Sequence, residues 1–223
     1  VETTLHRQVK ELYGINPAER EVRLGNYRID AVVDGLLIEV QVASLAAIRK
    51  KIADLVLRHR VLIVKPVVIR SYIVRHSVLG KVLGAGYSPK LHDPREVFED
   101  LVHLAKIFPH PNLAVELLLI EQAEHRVPRR GRRRNRNFRL CDRQLKSVME
   151  RQRLESAGDL LRYLPAGMPW AFTTADLARC GGIPRWLAQK MAYVLRHTGA
   201  VRAVGKQRNS VVYEVTRIVS RAA

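Results

Sequence analysis

Arg28-Ile-Asp-Ala-Val-Val-Asp-Gly-Leu-Leu-Ile-Glu-Val-Gln41 is the stretch whose reading decides the fold. It consists of two short apolar runs around Asp34-Gly35, a dipeptide that favours a two-residue hairpin turn. Such a turn folds residue 30 back to the level of residue 39. Asp30 and Glu39 then lie side by side on an otherwise apolar sheet. Buried carboxylates are costly unless paired or bound to a cation, and neighbouring ones repel unless positive charge sits between them. Oxygen-only ligation suits Mg²⁺ or Mn²⁺, and Mg²⁺ often takes only one or two carboxylates beside water.

Working outward, Thr3 and Thr4 cap a helix through about Tyr13, with Leu5, Val9 and Leu12 on its inner face. Strands are expected at Glu21 to Leu24, Tyr27 to Val33 and Leu36 to Val42. Ser44 caps a helix from Leu45 to about Arg58. The β-branched run Val61 to Ile69 reads as a buried strand, with a short strand at Tyr72 to Val74. The order α-β-β-β-α-β-β, with a crossover helix, predicts an α/β chain with a mixed sheet flanked by helices. Gly80 to Pro89 reads as a loop. Asp93-Pro94 opens a helix to about Phe108, Leu113 to Ile120 is strand-like, and Leu140 to Leu154 reads as a helix.

Asp30 followed by Glu39-Val40-Gln41 resembles the active-site core of the PD-(D/E)XK, or restriction-endonuclease-like, nuclease superfamily. In that family an Asp on one strand and an (Asp/Glu)-x-Lys on the next hold the catalytic metal, and the element order above matches its common core. Here Gln41 stands at the lysine position, as in the Glu-x-Gln variants of some restriction enzymes. The resemblance implies that Asp30, Glu39 and the Val40 carbonyl ligate the metal and that Gln41 orients the attacking water. It also implies that a lysine from elsewhere compensates, with Lys51 and Lys65 as candidates; Lys50 lies beside Lys51 on the next helix. A helical Glu often joins such sites. Glu2 and Glu11 compete, and His6 and Lys10 follow Glu2 on one helical face. The opening residues through Lys10 also look like those of uncharacterised bacterial proteins with this nuclease-like core, and that resemblance favours Glu2. The alternative is that Asp30 and Glu39 merely pair with Arg28, Lys51 or Lys65.

The chain carries 39 Lys/Arg against 21 Asp/Glu, a net charge of +18. Residues 1–110 contribute +5 and residues 111–223 contribute +13. This points to nucleic acid. Arg126 to Arg139 holds eight Arg and no acid. Arg129, Arg130, Arg132, Arg133, Arg134 and Arg136 are candidate phosphate contacts, with Phe138 the one interleaved aromatic.

From Ser156 the pattern is short helix, capped helix, Gly181-Gly182, longer helix from Pro184, then two strands joined at Gly205 to Ser210. That order resembles a winged helix. Arg185, Gln189, Lys190 and Arg196 would face the major groove, and Lys206 and Arg208 would reach phosphate or minor groove from the wing. Three domains are expected: a nuclease-like domain at 1–125, a basic connector at 126–155 and a winged helix at 156–223.

Cys141 and Cys180 form no CxxC pair, so a structural zinc site is not expected. No run reaches the ~20 apolar residues of a membrane span. The expected protein is a cytoplasmic, nucleoid-associated, metal-dependent DNA endonuclease acting on double-stranded or branched DNA, with a homodimer compatible. The alternatives are a catalytically inactive nuclease-fold DNA-binding regulator or adaptor, and an RNA-binding or RNA-processing protein.

Overall fold

The computed structural model describes residues 3–13, 20–129 and 138–216. Thr3 accepts a hydrogen bond from the His6 amide at the start of α1 (Thr4–Glu11), which buries Leu5 and Val9. Three strands follow, β1 (Arg20–Leu24), β2 (Tyr27–Val33) and β3 (Leu36–Val40). Asp34 and Gly35 both have positive φ, 48° and 74°, which is the two-residue turn that matches strand twist. Ala31 therefore faces Ile38, and Val33 faces Leu36.

A 3₁₀ turn (Leu45–Ile48) and α2 (Arg49–Leu55) lead into β4 (Arg60–His76). The chain continues through β5 (Val82–Leu91), α3 (Phe98–Leu101), β6 (Leu113–Pro128) and β7 (Phe138–Leu154). The large sheet is mixed and runs β1-β2-β3-β4-β6-β7, with β5 pairing β4. Val61 to Val67 and Leu113 to Ile120 are buried at every position, as expected of strands covered on both faces.

Three expectations are corrected here. Leu140 to Leu154 is strand, not helix. Gln144, Leu145, Lys146, Met149, Glu150 and Arg151 are good helix formers, but the segment lies at the β6 edge of the sheet. The strand tendency of a sequence is set by its neighbours more than by its own propensity. Gly80 to Pro89 is mostly β5, pairing Tyr72 with Tyr87 and Ile73 with Gly86. The helix expected from Asp93 to Phe108 is only a 3₁₀ turn (Pro94–Val97) and the single turn α3.

The chain divides into two compact units assembled from alternating segments. The first comprises residues 1–42, 62–94 and 116–152, and the second residues 43–61, 95–115 and 153–223. The second contains β8 (Ala171–Phe172), α4 (Thr174–Gly181), α5 (Arg185–His197), β9 (Val201–Gln207) and β10 (Ser210–Val215). These three strands form a small sheet in the order β8-β10-β9. Its core includes Phe172, Leu177, Leu187, Met191 and Leu195.

Thr173 and Asp176 form a reciprocal capping box at α4. The Asp176 carboxyl is held below the ordinary carboxylate range, first by the Thr173 amide, then by the Thr173 hydroxyl and by Arg179. Thr173→Ala is expected to cost about 1 kcal/mol, a fall in Tm of roughly 2–4 °C for a chain of this size. Thermal unfolding followed by circular dichroism measures it. Among the described residues no helix is long and apolar enough to cross a membrane.

Candidate functional site

Beyond the Ala31–Ile38 pair the β2–β3 ladder gives way to side chains. Asp30 Oδ2 accepts the Val40 amide at 2.9 Å, and Glu39 Oε1 accepts the Asp30 amide at 3.4 Å. Each carboxylate thus takes a backbone donor from the opposite strand. Glu39 is 5% exposed and Asp30 is half-buried. The hairpin turn sets this register, so the two acids reach one level by backbone geometry alone.

Helix α1 supplies the counter-charges. His6 and Lys10 stand one turn apart on it. His6 Nε2 donates to Asp30 Oδ2 at 3.3 Å. Lys10 Nζ lies 3.5 Å from Asp30 Oδ1 and 3.2 Å from Glu21 Oε1, with its side chain 5% exposed. Burial works against ionisation of Asp30. The His6 hydrogen bond, the Val40 amide and the charges of His6 and Lys10 outweigh it and hold the carboxyl below its ordinary value. Asp30 is therefore an anion at neutral pH.

Gln41 is half-buried, and its backbone N–H donates to the Val64 carbonyl at 2.9 Å, which fixes its main chain against β4. Lys65, in the same stretch of β4, is buried and donates to the Val42 carbonyl at 3.3 Å. Lys50 and Lys51 lie on α2, in the second unit, exposed and half-buried respectively. Arg28 is exposed and pairs with Glu21. Glu11 is exposed, and Glu2 lies outside the described residues.

The pattern in sequence made His6 and Lys10 visible as one helical face, but nothing in it marked Lys10 as the partner of Asp30. Other groupings had no sequence pattern at all. Tyr13 donates to the buried Glu116, which Arg151 also approaches at 3.4 Å. Tyr87 stacks edge-on to Tyr72 and lies under Arg70, 3.8 Å from its ring centre. Strands β4, β5, β6 and β7, with the segment just after α1 that carries Tyr13, bring these residues together, and they are far apart in sequence.

In the second unit, Arg185, Gln189 and Arg196 lie on the exposed face of α5. Lys190 is paired with Glu99 at 2.7 Å. Lys206 and Arg208 are exposed at the β9–β10 turn, where Arg208 has φ 54°. Arg129 is exposed after β6. Arg130, Arg132, Arg133, Arg134 and Arg136 lie outside the described residues.

The donor set fits a hard divalent cation. It consists of oxygen donors on two adjacent strands, with Asp30 held ionised. Among the described residues no group of three or more His, Cys, Asp and Glu side chains is placed to hold a metal. Any ion here would rely on the two carboxylates, backbone oxygen, water and substrate, a set typical of Mg²⁺.

No solved structure matches the chain. An uncharacterized protein of Treponema pallidum (strain Nichols) is 30% identical over 182 residues, which cover 81% of this chain and 72% of that protein. Residues 3–155 match the family described as a domain of unknown function, DUF8091, a span that includes α1, the hairpin and the whole carboxylate site. The chain therefore belongs to the DUF8091 family.

Proposed function

We propose that the protein is a metal-dependent endonuclease that hydrolyses phosphodiester bonds of DNA, with a restriction-endonuclease-like core and a winged helix that holds the duplex. The observation that carries this reading is the pairing of ionised Asp30 with buried Glu39 at the point where the β2–β3 ladder opens. Asp30, Glu39 and the Val40 carbonyl would hold Mg²⁺ or Mn²⁺. When bound, the ion acidifies water and neutralises charge on the scissile phosphate.

The remaining roles fall to the chain's own groups. Gln41, fixed against β4, orients water but is no base. Lys10 and Lys65 supply positive charge in place of the missing lysine at position 41. His6 holds one oxygen of Asp30 and so fixes its rotamer. The order of β8, α4, α5, β9 and β10 supports the winged-helix reading, with Arg185, Gln189 and Arg196 toward the groove and Lys206 and Arg208 at the wing. Net charge of +18 supports a polyanionic substrate.

A specific contact favours a second reading. Lys10 already sits on Asp30 Oδ1, where a cation would bind. In an inactive DNA-binding descendant, that ammonium permanently replaces the metal. Incubation with supercoiled, linear and branched DNA in Mg²⁺ or Mn²⁺ separates the two. Metal-dependent cutting that EDTA abolishes is the expected result. Tight binding without cutting under either metal would remove the nuclease and leave the adaptor.

A further inference from the structure

A cleft of about 410 Å³ opens in the first unit, lined by residues of β4, β5, β6 and β7, among them Ile73, Arg75, Leu83, Arg126 and Phe138. It lies within the size range of small-molecule sites. Its chemistry is mixed. The Arg126 guanidinium lies over the Phe138 ring, 4.0 Å from its centre. Two hydrogen bonds to Glu124, at 2.9 and 2.5 Å, hold it there, so the planar pair is already ordered before any ligand arrives.

Arg75 differs. It is exposed and has no ion-pair partner among the described residues. Its guanidinium crosses β5 at Gly84, where a Cβ would stand only 3.3 Å from Nη2. His76, also lining the cleft, donates from Nδ1 to the Gly80 carbonyl at 3.1 Å. His76 Nε2 lies 2.9 Å from His125 Nδ1, so both ring nitrogens of His76 have partners. The imidazole is held at both nitrogens, and among the described lining residues Arg75 is the cation without an ion-pair partner. Leu83, 63% exposed, adds an apolar surface.

Apolar lining from Ile73, Leu83 and Val127, an ordered Arg–Phe stack and a guanidinium without an ion-pair partner among the described residues together match a planar ring that carries a phosphate. The cleft is bounded by Val127–Pro128 and Phe138, the two ends of the Arg-rich run. We propose that this cleft takes one unpaired nucleotide of a DNA or RNA strand, its base against Phe138 and Leu83 and its phosphate on Arg75. The inference rests on the nucleic-acid part of the reading above and not on its metal.

The test uses the full chain in EDTA, so that no cleavage interferes. Short single-stranded DNA and RNA carrying 2-aminopurine are titrated beside a plain DNA duplex. Stacking is expected to quench the fluorescence, and the arm that quenches identifies the sugar. Phe138→Leu is expected to remove the quench and weaken single-strand binding by roughly tenfold. Arg75→Ala, at an exposed position, is expected to weaken it similarly and to lower its salt dependence, with duplex affinity within about twofold. Quenching unchanged in both variants, or duplex and single strand weakened alike, overturns the cleft. Duplex binding without any quench also overturns it while leaving the DNA-binding reading intact. Failure to bind any nucleic acid overturns both.

Discussion

Asp30→Asn and Glu39→Gln are each expected to lower metal-dependent strand cleavage by about 10²–10³-fold, the scale of removing one preorganised electrostatic group from an active site. The substitutions keep shape and remove charge. In the proposed mechanism charge at this point is what holds the cation, so the loss falls on kcat far more than on DNA affinity. In the same proposal binding is carried elsewhere, by arginines such as Arg185 and Arg196, which are exposed. Single-turnover cleavage with saturating protein, beside anisotropy titration in EDTA, separates the two quantities. Equal loss of binding and cleavage would mean that the carboxylates serve the fold and not the chemistry. Cleavage at wild-type rate in both variants would remove them from the mechanism altogether.

Lys10→Met is expected to destabilise the protein by about 3 kcal/mol, the low end for removing one partner of a buried ion pair. The low end applies because Glu21 and Asp30 retain some solvent contact and His6 remains on Asp30. The sign with pH follows from Asp30, whose folded carboxyl is depressed. Its contribution to stability is present above the unfolded carboxylate value and is lost as pH falls through the lower folded value. Without Lys10 the folded value rises, so acid unfolding begins at higher pH. Urea unfolding at pH 7 and at mildly acidic pH measures both effects. The same variant bears on the two functional readings. If Lys10 stands in for a metal, Mg²⁺ is expected to stabilise Lys10→Met and leave the wild type unchanged, because a ligand stabilises only the state it binds. If the wild type is stabilised as well, the ammonium and the ion coexist, as a working nuclease requires.

The hairpin was legible because its geometry is local. Asp34-Gly35 fixes the turn, the turn fixes the register, and the register brings residue 30 to residue 39. Helix α1 was legible for the same reason, from Thr3 as cap and the spacing of Leu5 and Val9. The long strands were not. In β7 exposed and half-buried positions dominate, so no apolar stripe separates a strand from a helix, and its helix-forming residues point the wrong way. In β5, Gly84 and Gly86 read as loop, yet pairing to β4 makes them strand. The site divided along the same line. The two acids could be placed from the turn alone, whereas Lys10 against Asp30 needed the docking of α1 on the hairpin. The Arg126–Phe138 stack needed β6 and β7 brought together across the Arg-rich run.

Strand β4 has two characters along its 17 residues. Its first half is buried and bonded to Gln41 beside the carboxylates. Its second half is largely half-exposed, pairs with β5 and lines the cleft. Segments with few buried contacts open locally at far lower free energy than core strands. One continuous backbone therefore joins a buried end beside the two acids to a half-exposed end beside the cleft, where local opening is expected to cost less. Sub-global opening of β5 would leave the acids undisturbed.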